Sequence, residues 1–139
     1  MIDFANKVAA ITGAGSGMGR SLALQLAQAR CHLSLADKNA VGLAETERIV
    51  RTLAPSIRVT TCVLDVGDRD AMFAWADDTA KAHGQVNLIF NNAGVALSST
   101  IDGMEYSDLE WIVNINFWGV VHGTKAFLQI GRASCRERV

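Results

Sequence analysis

The sequence has little of what marks a membrane-spanning, secreted or nucleic-acid-binding protein. Among its 139 residues no apolar run approaches the length of a membrane span, and the first residues show no signal-peptide pattern. The chain has 13 Lys and Arg residues against 14 Asp and Glu residues, a formal net charge of −1, and no basic run. We therefore expect no membrane and no nucleic-acid partner.

Cysteine is also scarce. Cys31, Cys62 and Cys135 are odd in number and lack the spacing of metal ligands, so we expect no metal site. Cys31 and Cys62 lie in apolar, strand-like segments, which predicts buried thiols in a reducing compartment and hence a cytoplasmic location. Half of the residues are hydrophobic, which is enough for one folded domain with a core.

What the chain does have is a glycine-rich turn between an apolar run and a helical pattern. The turn meets the pattern T-G-x-x-x-G-x-G and lets the backbone approach a ligand closely. The first turn of the helix that follows offers free N–H groups and a partial positive charge to a phosphate. We therefore predict a cofactor-binding turn made of Thr12, Gly13, Ser16, Gly17, Met18 and Gly19. A structural turn without a ligand is the alternative.

Strand and helix patterns alternate along the chain. Strands are predicted at 7–12, 31–37, 57–64 and 86–90, and helices at 17–29, 41–53, 69–83 and 107–129. Asp68 can cap the helix at 69–83, and Gly84 closes it. This alternation predicts an α/β fold with a doubly wound parallel sheet and right-handed crossovers. Because ligands of such sheets bind beyond the carboxyl ends of the strands, polar residues there are candidate site residues.

Two acidic residues follow the second and third predicted strands. Asp37 stands where an acid would accept from both hydroxyls of an adenosine ribose, and it would repel a 2′-phosphate, which favours NAD over NADP. Arg20 and Lys38 are nearby cations that could soften this preference. Asp65 could accept from an adenine amino group. The alternatives are that Asp37 caps a turn and that Asp65 caps the turn before Asp68.

Taken together, the motifs resemble the short-chain dehydrogenase/reductase family of the classical type over residues 5–128. They are Thr12-Gly13-(x3)-Gly17-x-Gly19, Asp65-Val66, Asn91-Asn92-Ala93-Gly94 and Ile115-Asn116-(x2)-Gly119. The resemblance implies a Rossmann-type doubly wound parallel sheet, truncated here after about four strands and the following long helix.

The same resemblance implies further site residues. Asn91, Ala93 and Gly94 would line the cofactor site together with the Asp65-Val66 pair, and Asn116 would hold a water in the proton relay of the active site. Taken alone, Asn116 could instead be a polar residue that satisfies a helix kink.

The activity implied by the resemblance is hydride transfer between a nicotinamide cofactor and an alcohol or carbonyl compound. The family's catalytic Ser and Tyr-x-x-x-Lys are missing here, and Tyr106, the single tyrosine, lies too early in the chain. We therefore expect a cofactor-binding half, inactive alone, of a parent that forms homo-oligomers. A non-catalytic dinucleotide sensor is the alternative, and a methyltransferase is a third possibility against which the Asn91–Gly94 run argues.

The last residues abandon the apolar helical pattern. Residues 130–139 resemble the translation of a sequencing adapter, so we expect a partial NAD(P)-binding domain at 1–129 and a non-native tail at 130–139, with a natural basic tail as the rival. Without further strands we expect 86–90 to be an exposed sheet edge. We also expect five apolar residues of the last helix to be partly exposed, namely Trp111, Ile112, Ile115, Val120 and Phe127. Trp111 and Trp118, at helical spacing, are expected to be packing residues.

Overall fold

The computed structural model describes residues 2–136, and the side chains of residues 2–133. Four strands form one parallel sheet in the order β3-β2-β1-β4. They are β1 (Val8–Thr12), β2 (His32–Asp37), β3 (Val59–Val63) and β4 (Leu88–Phe90). The central strand β1 pairs with β2 from Val8 opposite His32 and with β4 from Ala9 opposite Leu88. The predicted parallel α/β sheet is therefore confirmed.

Helices connect the strands and continue beyond the last one. They are α1 (Gly17–Gln28), α2 (Ala40–Leu53), α3 (Arg69–His83), α4 (Tyr106–Val113) and α5 (Gly119–Arg136). A 3₁₀ turn at Ile101–Gly103 precedes α4, and a π-helical turn at Asn114–Trp118 joins α4 to α5.

Alternate residues of β1 supply two separate cores. Ala9 and Ile11 belong to the core under α1 and α2, whereas Ala10 belongs to the core under α3 and α5. On the second face the rings of Trp75 and Phe127 meet edge to face, with centroids 5.0 Å apart. Helices cover both faces of the sheet, which is the doubly wound arrangement.

Local sequence accounts for the ends of α2 and α3. Asn39 accepts from the amide of Gly42 at 3.0 Å at the start of α2, and Asp68 accepts from the amide of Ala71 at 3.0 Å at the start of α3. Helix α3 ends at Gly84, whose φ of 77° suits glycine. The predicted Asp68 cap and Gly84 stop are confirmed.

The structure corrects several predicted bounds. Strands β3 and β4 are shorter than the predicted 57–64 and 86–90. The single helix expected at 107–129 is two helices separated by the π turn, because one extra residue is accommodated there. Helix α5 continues through residues 130–136, so no change of secondary structure marks the predicted boundary at 129. Residues 137–139 of the predicted tail lie outside the described residues.

Several expectations about exposure also change. β4 lies at the sheet edge as predicted, but Ile115 and Phe127 are each only 6% exposed, so their predicted partial exposure is wrong. They are covered because the second core packs around them. The predicted partial exposure of Trp111, Ile112 and Val120 is confirmed, since Trp111 is 41% exposed, Val120 is 38% exposed and Ile112 is half-buried. Trp118, expected to pack, is 47% exposed. Cys62 is half-buried because β3 is the opposite edge strand.

Candidate functional site: a cleft at the carboxyl ends of the strands

A cleft of about 370 Å³ opens where the four strands end. Segments from every strand end meet there, as the topology predicts for a ligand site. The cleft is lined by Gly13, Ser16, Gly17, Met18, Asp37, Lys38, Leu64, Asp65, Val66, Asn92, Ala93, Gly94, Val95, Trp111 and Ile115. Nine of the thirteen residues predicted for the site are among them, and Thr12, Gly19, Asn91 and Asn116 are not.

The glycine turn presents the start of α1 to this cleft. The first helical hydrogen bond runs from the amide of Arg20 to the carbonyl of Ser16 at 3.1 Å, so the amides of residues 17–19 precede it. Within residues 2–136 the Ser16 side chain does not cap the helix, and Ser16 lines the cleft. A Cβ atom built on Gly17 meets nothing within 4 Å. The turn therefore offers backbone donors and open space to an anion.

Gly19 is required for the close packing of this turn. A Cβ atom at this position would overlap the carbonyl oxygen of Gly13 and approach Nδ2 of Asn92 to 2.7 Å. The absence of a side chain at Gly19 therefore lets α1 start directly against the turn.

Thr12 joins the first turn to the run that follows β4. Its Oγ1 accepts from the amides of Asn92 and Ala93, both at 3.0 Å, and donates to the carbonyl of Phe90 at 3.3 Å. The side chain of Asn92 adds two further hydrogen bonds, because its Nδ2 donates to the carbonyls of Thr12 at 3.1 Å and Gly13 at 3.3 Å. Thr12 is 2% exposed, so it holds two walls of the cleft together rather than lining it.

The Asp37 carboxylate faces the cleft from the end of β2. Its Oδ2 accepts from the amide of Gly15 and its Oδ1 from the amide of Asn39, both at 2.8 Å. The Asn39 contact is the turn cap that the sequence left open as an alternative. Because each carboxylate oxygen can accept more than one hydrogen bond, the cap and a ligand-binding role are compatible.

Arg20 is not a free cation beside Asp37. Its Nη2 donates to the carbonyls of Gly15 at 2.7 Å and Gly42 at 3.1 Å, and its Nε donates to Oγ1 of Thr46 at 2.9 Å. The guanidinium therefore clips the glycine turn to the start of α2.

Lys38 is also engaged. Its Nζ lies 3.3 Å from Oδ2 of Asp65, and Oδ1 of Asp65 accepts from the amide of Gly67 at 2.9 Å. Asp65 therefore caps the turn that leads to Asp68, as the alternative interpretation of this residue predicts, while its second oxygen faces Lys38.

The residues of the Asn91–Gly94 run face two different parts of the molecule. Asn92, Ala93 and Gly94 line the cleft, whereas Asn91 faces α5 and donates from Nδ2 to Oγ1 of Thr124 at 3.2 Å. Within the described residues, Oδ1 of Asn91 is buried without a hydrogen-bond partner.

Asn116 lies in the π turn and holds the segment after β4. Its Oδ1 accepts from the amide of Val95 and its Nδ2 donates to the carbonyl of Val95, both at 2.8 Å. The residue thus stands at a helix irregularity, as the simpler interpretation expects, and it also fixes a residue of the cleft wall.

Sequence reasoning did not assign six of the lining residues to the site. They are Lys38, Leu64, Asn92, Val95, Trp111 and Ile115. Asn92 could have been found, because it stands inside a motif already singled out. Trp111 and Ile115 reach the cleft only because the helix after β4 turns back over the strand ends, which no local pattern signals.

Two features are absent from the part of the chain that the structure describes. Residues 2–136 contain no group of three or more His, Cys, Asp or Glu side chains arranged to hold a metal ion. None of the described helices combines the length and the apolar composition needed to cross a membrane.

The glycine turn, the paired acids and the strand order define a doubly wound α/β domain of the nucleotide-binding type. The chain belongs to the short chain dehydrogenase family, whose sequence model matches residues 7–134. The protein named SadH in Mycobacterium tuberculosis is 46% identical over 128 residues. The crystal structure of levodione reductase superposes with a TM-score of 0.90 at 34% identity. That of a short chain dehydrogenase/reductase from Burkholderia phymatum in complex with NAD gives 0.89 at 38% identity.

The chain spans about half the length of the curated relatives it matches. The match to SadH covers 92% of this chain and 46% of that protein. The structural matches cover 94% of this chain and 51% and 46% of the levodione reductase and Burkholderia phymatum chains.

Proposed function

We propose that this chain is the cofactor-binding half of an NAD-dependent oxidoreductase that interconverts an alcohol and a ketone or aldehyde. The observation that carries the proposal is the Asp37 carboxylate, which faces the cleft beside the uncapped start of α1. An acid and a helix N-terminus in one cleft suit a ribose and a pyrophosphate. The NAD complex of the Burkholderia phymatum relative supports this choice.

Each part of the cleft would hold one part of the dinucleotide. The amides of residues 17–19 and the Ser16 hydroxyl would bind the pyrophosphate, and Asp37 would accept from the ribose hydroxyls. Asp65 would accept from the adenine amino group. Val66, Ala93 and Gly94 would line the cofactor site, with Asn91 supporting the sheet beside it. When bound, the nicotinamide supplies or receives the hydride.

The role proposed for Asn116 belongs to the whole protein. We propose that it holds a water of the proton relay that serves the substrate. Its side-chain amide contacts Val95 at both atoms, which fixes the residue beside the cleft wall. The proton donor itself would be a tyrosine outside this chain, because Tyr106 is followed four residues later by Glu110 and not by a lysine.

Assembly, location and the tail complete the proposal. We propose a homo-oligomer in which Phe117, Trp118 and Leu128, which are 57%, 47% and 52% exposed, lie in the subunit interface. The free thiols of Cys31 and Cys62 are consistent with a cytoplasmic location. We also propose that residues 130–139 are not native. Resequencing the gene tests this, because a stop codon after Val139 in clean genomic DNA would contradict it.

The decisive experiment is calorimetric titration of the 139-residue chain with NAD and with NADP. We expect NAD to bind more tightly. Asp37→Ala should weaken NAD binding about tenfold or more, because a hydrogen bond to a charged group contributes about 1.5–3 kcal/mol.

A matched control removes a carboxylate elsewhere. Asp70→Ala deletes the same charge from α3, at a side chain that is 98% exposed and does not line the cleft. NAD binding should not change in this variant. A folded chain that binds neither nucleotide, or an Asp37→Ala variant that binds NAD as the unaltered chain does, would contradict the proposed function.

A further inference from the structure

The rim of the cleft carries one ion pair that the proposed function leaves unexplained. Lys38 directly follows Asp37 and lines the cleft, and its Nζ lies 3.3 Å from Oδ2 of Asp65. The pair bridges the ends of β2 and β3. The side chains are 73% and 37% exposed, so the contact adds little to stability and its effect is local.

Two hydrogen bonds within the turn after β3 fix the position of Asp65. Its Oδ1 accepts from the amide of Gly67 at 2.9 Å, and its carbonyl accepts from the amide of Asp68 at 3.0 Å. The tight turn therefore fixes the carboxylate and directs its other oxygen towards Lys38. Lys38, on a flexible four-carbon stem, is the mobile partner of the pair.

Lys38 is the single cationic side chain among the cleft-lining residues of the described chain. Arg20, the other cation near Asp37, is engaged with Gly15, Gly42 and Thr46. A phosphate group placed next to Asp37 would therefore find Lys38 as its cationic partner in the cleft.

We propose that Asp65 is a specificity-determining residue that disfavours NADP by engaging Lys38. The inference rests on the proposed function. A 2′-phosphate on the adenosine ribose would meet the negative charge of Asp37 and would have to compete with Asp65 for Lys38. NAD lacks this phosphate, so its binding does not require a contact with Lys38. The nucleotide preference is thus set by two acids, one acting on the phosphate directly and the other through a lysine.

The test compares the ratio of NADP to NAD affinity in four versions of the 139-residue chain: the unaltered chain, Asp65→Asn, Lys38→Gln and the double variant. Asparagine at 65 keeps an oxygen for the amide of Gly67 but removes the charge that engages Lys38. Any contact of residue 65 with the adenine is common to both nucleotides and cancels in the ratio. Asp65→Asn both releases Lys38 and removes one negative charge from the cleft. In the Lys38→Gln background only the loss of charge can change the ratio, so the two effects are distinguished.

When Lys38 is present, we expect Asp65→Asn to raise the NADP to NAD affinity ratio at least threefold. When residue 38 is glutamine, the same substitution should raise the ratio by a factor less than half as large. Because the groups are exposed, the rise should shrink when the ionic strength goes from 0.05 to 0.5 M. Asp70→Asn, at an exposed acid outside the cleft, should leave the ratio unchanged.

The outcomes separate this inference from the proposed function. An unchanged ratio in Asp65→Asn, or an equal rise in both Lys38 backgrounds, overturns the inference while NAD binding stands. A folded chain that binds neither nucleotide refutes the proposed function and the inference with it. Circular dichroism of each variant establishes that it is folded.

Discussion

Replacing Thr12 by valine should loosen the junction between the two turns that form the cleft. Valine keeps the β-branched shape of a side chain that is 2% exposed but removes the hydroxyl. The amide of Ala93 then loses its acceptor at 3.0 Å, whereas the amide of Asn92 keeps a second contact to the carbonyl of Phe90 at 2.9 Å. One amide is left unpaired, one shared bond is lost, and the bond from the Thr12 hydroxyl to the carbonyl of Phe90 at 3.3 Å is lost as well.

The magnitude follows from these contacts. An amide left unpaired at this part-buried position costs about 1–3 kcal/mol and the two other lost bonds contribute less, so we expect the free energy of unfolding to fall by about 2–3 kcal/mol. A domain has only about 5–15 kcal/mol in total. For a chain of this length the midpoint of thermal unfolding should drop by roughly 10 °C.

Thermal and urea unfolding, followed by tryptophan fluorescence, measure this effect. Thr12→Ser is the matched control, because it keeps the hydroxyl and removes only a methyl group, and it should retain most of the stability. A valine variant as stable as the unaltered chain, or a serine variant as unstable as the valine variant, would refute the role assigned to the hydroxyl.

Three further predictions concern other parts of the molecule. Gly19→Ala should abolish NAD binding and lower the unfolding midpoint, because the added methyl group overlaps the carbonyl of Gly13; unchanged titration and melting curves would contradict this. Burial, and then the nearby Arg58, lower the pKa of His83 below 6.5, so the unfolded chain binds the proton more readily. Stability should therefore decline as the pH falls from about 7 to 5, and in urea titrations His83→Gln should flatten this decline. Burial raises the pKa of the Cys31 thiol to about 11, so iodoacetamide at pH 8 should label it at least tenfold more slowly in the folded chain than in urea, as peptide mapping would show.

The strand ends were predictable because their signals are local. The glycine turn and the acids at the ends of β2 and β3 each follow an apolar run, and the parallel topology places such positions at one edge of the sheet. Likewise the Asp68 cap and the Gly84 stop gave the bounds of α3 as Arg69–His83.

Orientation and long-range packing were not predictable. Asn91 and Asn92 are neighbours of the same type, yet Asn91 faces α5 and Asn92 faces the first turn. Their orientations depend on contacts with residues up to 80 positions away in sequence. Ile115 and Phe127 are covered because the helix after β4 closes over the sheet, and periodicity within one helix carries no information about that closure.

The π turn sets the rotational phase of everything that follows it. A turn closed by bonds between residues five apart holds one residue more than a regular turn, and one residue corresponds to about 100° of rotation about a helix axis. The faces of α4 and α5 are therefore offset, which lets Asn116 reach Val95 while Phe127 meets Trp75. Because the turn absorbs the extra residue, deleting a single residue within Asn114–Trp118 would give a regular helix and leave α5 packed on the sheet, but it would remove the bulge from which Asn116 reaches Val95.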